Sequence, residues 1–385
     1  MVERLAQSIS AAGHIVRIFC PTKSQADAPG AQIVRTLRLP NMSEGTLWPS
    51  ATDNRRLAEF KPDIIHTHSE RGAFTWALRA SRALDVPHIH TFHADYTVLH
   101  PYYPMANVLS LWLALTTRTL PAKVTLPKQL ADYYEQSDRF LKYDWLSMAR
   151  FAANTDAYTT PSPRVFKFFQ ATGIADHGRL IPFGIEPVWL TTEEVVNQRH
   201  GTPVIISVGR LDAEKRVDVV IEAFRQLRSN GTAAKLWIVG TGTVAHQLQE
   251  QAQACGFTED ITFHGLVKSG DDLRQLYRQA DVFALGSYHY ETQGLVLLEA
   301  AAAGLPIVYS DERLEVGVTK ANSIRTPPDS KGYAQGFRQL CEDDALRRRM
   351  GLASLSEARA YPLDKVMTEI QAVYTQAIQK PAKAA

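Results

Sequence analysis

The sequence predicts an α/β protein of two doubly wound, parallel-sheet domains facing a cleft. At 385 residues the chain is too long for one ordinary core and suits two. Short, mostly apolar, β-rich runs alternate with helical patterns, as in parallel sheets covered on both faces. The alternation pauses at the proline-containing stretch IPFGIEPVWL (181–190) and restarts from Gly201.

Taken in order, MVERLAQSISAAGH reads as an amphipathic helix ending near Gly13, with an acid at Glu3 that a signal peptide would not carry. Strand runs follow at HIVRIFCP (14–21), IVRTLRLP (33–40), DIIHTHS (63–69), VPHIHTFHA (86–94) and AYTTPS (157–162), with a helix over 72–84. A doubly wound domain opens with a strand, a turn and then a helix. Here the chain begins inside that helix, so the first strand and its loop are expected to be missing. A helical insertion over about 101–144 belongs to no strand–helix unit. The second half runs PVIISVGR, helix 217–228, KLWIVG, helix 243–254, ITFHG, helix 271–280, DVFALGS, helix 294–303 and LPIVYS. A last helix, 361–379, has no strand to serve and is expected to pack across both domains. The expected boundaries are 1–186, 187–360 and 361–385.

Composition narrows the function. A formal net charge of +2 with scattered basic residues gives no global nucleic-acid signature. Cys20, Cys255 and Cys341 are far apart and odd in number, which favours reduced thiols and offers no metal spacing. The most apolar stretch, VLSLWLALTT (108–117), has half of the roughly 20 residues needed to span a bilayer.

Candidate chemistry gathers at strand ends. In SVGRLDAEKR (207–216), Gly209 permits a tight turn, and Arg210 and Lys215 follow where α/β folds collect ligands. The pair suits a diphosphate, the arginine through forked bonds and the lysine as a point charge. A solvated basic turn paired with Asp212 and Glu214 fits the stretch equally well. VGTGT (239–243) places Gly240 where backbone can approach a ligand, and HGLVKS (264–269) offers the backbone around Val267. In YHYETQGLVLLEAAAAGLPIVYSD (288–311), Glu291, Thr292, Gln293, Gly294 and Leu295 surround a helix start whose amides point outward. Glu299 lies inside a small-sided helix and needs a partner, such as the two hydroxyls of a ribose. Glycine–aspartate–aspartate at 270–272 resembles a metal diad but reads as helix capping. His66, His68, His88, His90, His93 and His100 cluster in sequence. Alternation sends neighbours to opposite sheet faces, so most read as core or loop histidines, with His93 best placed to reach the cleft beside Asp95 and Tyr96.

Together SVGRLDAEKR, VGTGT, HGLVKS and ETQGLVLLEAAAAGLPIV resemble the donor domain of retaining nucleotide-sugar glycosyltransferases. The similarity is to the GT-B architecture of paired Rossmann-like domains and its family 4, with the E-x7-E signature at Glu291 and Glu299. KPDIIHTHS and TFHADY match the acceptor domain, and the likeness covers nearly the whole chain. It implies a UDP-sugar donor with no metal or other cofactor. Arg210 and Lys215 would hold the diphosphate, and Glu299 the ribose. Glu291 with the amides of Thr292 to Leu295 would hold the sugar, and His93 would lie near the reacting centre. ETQG and TFHADY are most similar to bacterial diacylglycerol glucosyltransferases. That implies a cytoplasmic protein, peripheral on the inner face of the cell membrane, with a lipid acceptor at an anionic surface. VLSLWLAL with Arg118, Lys123 and Lys128 would supply the contact, or else forms core. The alternatives are a polysaccharide, teichoic-acid or phosphoinositide acceptor, a sugar-nucleotide epimerase, or a non-catalytic remnant. The last is motivated by the family's missing N-terminal glycine-rich loop. ANSIRTPPD (321–329) also lacks a glycine that the family places there.

Overall fold

The computed structural model describes residues 2–21, 31–36, 49–70, 72–93, 95–98, 102, 106–122, 124, 141–198 and 201–379. His100, Lys123, Lys128 and the middle of the expected helical insertion lie outside them. The chain divides into two compact units, Met1–Pro182 with Lys365–Ala385, and Phe183–Asp364.

The first unit opens with helix α1 (Val2–Ala11), which buries Leu5 and Ala6. Strands β1 (Val16–Cys20) and β2 (Ala31–Arg35) pair in parallel and in register. Helix α2 (Ala51–Phe60) has a full capping box between Ser50 and Asp53. Then come β3 (Ile65–Thr67), α3 (Ala73–Leu84), β4 (His88–Thr91), α4 (Ala106–Thr117), α5 (Leu141–Ala153), β5 (Ala157–Thr160), α6 (Pro163–Ala171) and β6 (Gly178–Leu180). Strands β3 to β6 form one parallel sheet in sequence order. The core is aromatic, with Phe74, Phe92, Trp145, Phe151, Phe168 and Phe169 almost fully buried. Among the described residues, the β1–β2 pair shares no ladder with the four-stranded sheet. A mostly apolar cavity of about 350 Å³ is lined from both, by Val16 and Ile18 of β1 and by Ile65 and Thr67 of β3.

The second unit has helix α7 (Glu193–Asn197), then β7 (Val204–Val208), α8 (Val217–Ser229), β8 (Lys235–Val239), α9 (Ala245–Ala254), β9 (Ile261–Gly265), α10 (Gly270–Gln279), β10 (Val282–Ala284), α11 (Leu295–Ala302) and β11 (Ile307–Tyr309). It closes with β12 (Ser323–Arg325), α12 (Ser330–Glu342) and α13 (Asp344–Arg359). The parallel sheet runs β12-β11-β10-β7-β8-β9. This is the doubly wound order, and it reverses direction between β7 and β10. Ligands collect outside the strand ends at such a switch point. At the opposite, N-terminal ends of these two central strands, Asp281 Oδ2 accepts from the Val204 amide at 2.8 Å. The alanines of α11 serve close packing: Ala300, Ala301 and Ala302 are fully buried against the sheet core.

One sequence reading changes. Helix α10 does begin at Gly270, but its cap is Ser269, whose side chain accepts from the Asp272 amide. Asp271 is turned outward to Arg274. The final helix, α14 (Leu363–Gln379), enters the first unit at Lys365. There Tyr374 is bonded to His66 at 2.6 Å, and Gln376 accepts from Arg179 at 3.2 Å. Near the start of the 321–329 stretch, Asn322 fastens the chain to the turn before it. Asn322 accepts from the Thr319 amide at 2.6 Å and donates to the Gly317 carbonyl at 3.0 Å.

Candidate functional site

The switch point of the second unit is built by strand-end turns fastened to one another. The Gly209 amide donates to the Val239 carbonyl at 3.0 Å and Gly240 to Gly265 at 2.8 Å. A Cβ on Gly240 would stand 1.8 Å from the Gly209 carbonyl oxygen. Gly240 therefore serves the approach of one strand-end turn to another, where the sequence suggested approach to a ligand. Thr243 fixes Asp212 through its amide and hydroxyl, both at 2.8 Å. Burial alone would raise the Asp212 carboxyl. The Thr243 bonds, Arg210 and Lys215 outweigh it, and the group lies below its ordinary range.

Arg210 and Lys215 have different partners. The Arg210 guanidinium touches Asp212, donates to Glu214 Oε1 at 2.6 Å and reaches the Tyr290 hydroxyl at 3.2 Å. Its side chain remains 55% exposed, so it can be recruited by an incoming anion. Lys215, on a short turn, reaches from the β7 side to the β10 side. Its Nζ lies 2.5 Å from Glu291 Oε1 and 5.0 Å from the Tyr290 ring centre. Ser287 Oγ also donates to Glu291 Oε1, at 2.9 Å. Arg210 thus has Asp212 and Glu214 of its own turn and Tyr290 as partners, whereas Lys215 is joined to Glu291, the first acid of the E-x7-E motif.

The turn before α11 brings the remaining candidates to the same place. Gly294 is the helix N-cap at φ 78° and gives no side-chain bond to the first turn. The Gln293 side chain is committed elsewhere, accepting from the Phe183 amide at 2.6 Å and donating to its carbonyl at 3.3 Å. What Gln293 offers a ligand is backbone, as do Thr292 and Leu295. Glu299, 9% exposed, accepts from the Tyr277 hydroxyl at 3.1 Å. Burial first, and then this carboxylate, raise the Tyr277 phenol well above its usual value. Val267 is half-buried against the unit's core beside the exposed Leu266.

Sequence reasoning missed Tyr277, Gly286, Ser287, His289 and Tyr290. A Cβ on Gly286 would lie 2.6 Å from the Arg216 carbonyl and 2.7 Å from that of Lys215. The glycine after β10 was a signal for this clamp. The others declare themselves only through long-range contacts.

The first unit carries a separate polar cluster. His68 Nδ1 and His93 Nε2 are 2.7 Å apart. The His66 ring lies 4.1 Å from that of His68, tilted by 37°, and bonds Thr91 Oγ1 at 2.7 Å. On the other face Thr67 joins His88 at 2.9 Å and His90 at 2.8 Å, and His90 meets Glu70 at 3.2 Å. The alternation read from sequence therefore holds, with His93 looping over to the His66 and His68 side. Burial, partly opposed by Glu70, pushes the His93 imidazole down to about 4. Asp95 has partners of its own. It binds Arg164 and accepts from the Thr97 amide at 3.0 Å.

These features gather at the strand-end switch point of a doubly wound α/β unit, where such folds collect ligands. Residues 1–189 match Glycosyltransferase Family 4, and residues 191–355 match Glycosyl transferases group 1. The chain thus carries both glycosyltransferase domains, family 4 and group 1, with the GT-B fold. The alpha-monoglucosyldiacylglycerol synthase of Streptococcus pneumoniae is 23% identical over 80% of this chain and 66% of its own. A D-inositol 3-phosphate glycosyltransferase of Xylanimonas cellulosilytica is 25% identical over 99% of this chain and 92% of its own. Anabaena HepE, solved in complex with UDP-glucose, superposes with a TM-score of 0.62 at 16% identity, over 91% of this chain and 86% of its own. The chain spans between 49% and 66% of the length of the first three curated relatives it matches.

Proposed function

We propose that the chain is a retaining hexosyltransferase that moves glucose from UDP-glucose to a membrane lipid, diacylglycerol. The observation that carries the donor half is the meeting of Arg210, Lys215 and Glu291 at the β7/β10 switch point, beside the first-turn amides of α11. As the glycosidic bond breaks, charge grows on the departing diphosphate. Fixed cations then stabilise the transition state more than the ground state. Arg210 and Lys215 are the diphosphate carriers, exchanging their present carboxylate partners for phosphate oxygens. Glu291 and the Thr292–Leu295 amides orient the sugar, and Glu299, steadied by Tyr277, takes the ribose. Attack by the acceptor hydroxyl on the face the diphosphate leaves, with the leaving oxygen as base, retains the anomeric configuration. His93 is assigned to the acceptor side as a neutral hydrogen-bonding imidazole. No step requires a metal ion.

The lipid acceptor is supported by α4. Val108, Leu111, Trp112 and Leu115 are exposed at 57%, 44%, 47% and 52%, and their spacing gives one apolar stripe ending at the exposed Arg118. The S. pneumoniae relative is named for a glycolipid product. Among the described residues no helix is long and apolar enough to cross a membrane. A second reading, transfer to an inositol phosphate or polysaccharide, has the X. cellulosilytica relative in its favour and leaves the donor site unchanged. Purified protein with labelled UDP-glucose, EDTA and diacylglycerol vesicles tests the proposal. An α-linked glucolipid is the expected product. Labelled product with inositol phosphate alone would replace the lipid reading, and no transfer to any acceptor would refute the activity.

A further inference from the structure

We infer that His289 is a positioning residue, a latch that, through Glu312, sets the Gly286–Gln293 arm over the two donor cations; the inference rests on the donor reading above. The arm leaves β10 and is clamped at its base, because Gly286 lies against the carbonyls of Lys215 and Arg216. Its far side carries Tyr290 and Glu291, which touch Arg210 and Lys215. Between them sits His289, at φ 56°, a left-handed conformation that a side chain disfavours. Such a backbone persists where surrounding contacts determine it. Here those contacts are explicit. His289 Nε2 lies 2.6 Å from Glu312 Oε1, and its ring stacks on Tyr288 at 3.9 Å and 17°. Arg216 covers the Tyr288 ring at 5.9 Å.

Glu312 is anchored in turn. It follows β11, next to Asp311, which is fully buried and grips the Arg313 side chain through both carboxylate oxygens at 2.9 Å. His289, Asp311 and Glu312 have ligand atoms within 4.8 Å of one another, a spacing that would suit a cation. The two bonds from Arg313 already neutralise Asp311, so the contact left to His289 is the single pair with Glu312. That pair joins the turn after β11 to the arm after β10, and thereby fixes the tilt of Tyr290 and Glu291. Arg210 and Lys215 are then presented to a diphosphate from a preset arrangement, which lowers the ordering cost of binding.

The test uses the full chain and UDP. His289→Ala and Glu312→Ala are expected to raise the UDP Kd and the donor KM about tenfold, with kcat changed less than about threefold. His289→Gln, whose amide can still donate to Glu312, should recover most of the affinity. The double variant should bind no more weakly than either single one. His289→Gly accommodates the backbone but has no latch, so recovery of affinity in it would overturn the assignment. So would wild-type affinity in His289→Ala. Amide exchange over 286–293, measured without nucleotide, gives an independent reading. It should quicken in the alanine variants and return in His289→Gln, and unchanged protection would also overturn the latch. If the wild type itself binds no UDP, the donor reading fails, while the exchange data still decide the latch.

Discussion

The two units solve the placing of polar groups in opposite ways. In the second, charged side chains stand at the mouths of strand-end turns. Arg210 is 55% exposed and Lys215 is 19% exposed, each with a carboxylate that a ligand can displace. In the first, His66, His88 and His90 are bonded to hydroxyls and His68 to His93, with burial keeping the His66, His68 and His88 rings neutral. Exposed charges of this kind can exchange partners. A buried neutral network specifies geometry and is costly to disturb.

Removing an exchangeable cation should have the largest effect. Arg210→Ala and Lys215→Ala are each expected to lower kcat/KM about 100-fold or more, while the thermal midpoint moves little. Near-wild-type turnover in either would break the contrast.

Next is the frame beneath those cations. Gly240→Ala forces a Cβ into the Gly209 carbonyl at 1.8 Å. It should cost about 2 kcal/mol or more of the second unit's stability, read by denaturant unfolding. An unperturbed midpoint would show that the turns are not fastened as described.

The first unit is expected to be pH-sensitive. His93 titrates at about 4 and His66 at about 3, burial being the main cause, against 6.5 in the unfolded chain. Between these values the unfolded chain binds more protons than the folded one. The stability contributed by the neutral rings is present in full above about 6.5 and is lost as pH falls through about 4. Thermal melts from pH 7.5 to 4.5 should show the loss, and His93→Gln should reduce its steepness. An identical slope in the variant would count against the network.

The smallest effect belongs to Tyr277→Phe. Loss of the bond to Glu299 should cost about 1 kcal/mol, seen as a several-fold weaker Kd for UDP and little change in kcat. A variant with wild-type affinity would separate Tyr277 from the ribose site.

The same contrast explains what the sequence disclosed. The strands of the second unit were legible because buried parallel strands read as apolar runs between glycine turns, as PVIISVG and KLWIVG do. Glu291, Glu299, Arg210 and Lys215 were legible because they recur on short motifs. Strands β6 (GRL) and β12 (SIR) lack the apolar run that made the equally short β10 and β11 legible. Tyr277, His289 and Tyr290 act through partners distant in sequence, and no local pattern marks them. Among the described residues, the strands of the first unit fall into a β1–β2 pair and the β3–β6 sheet beside a cavity. Which edges meet is a tertiary matter that the alternation of strands and helices does not encode.

The central claim, that Arg210 and Lys215 carry a nucleoside diphosphate at the β7/β10 switch point, is tested most directly by calorimetric titration of the full chain with UDP in EDTA. Saturable binding that is abolished in the Arg210→Ala/Lys215→Ala double variant, with both proteins equally folded, is the predicted result. Equal binding by the double variant, or none by the wild type, would contradict it.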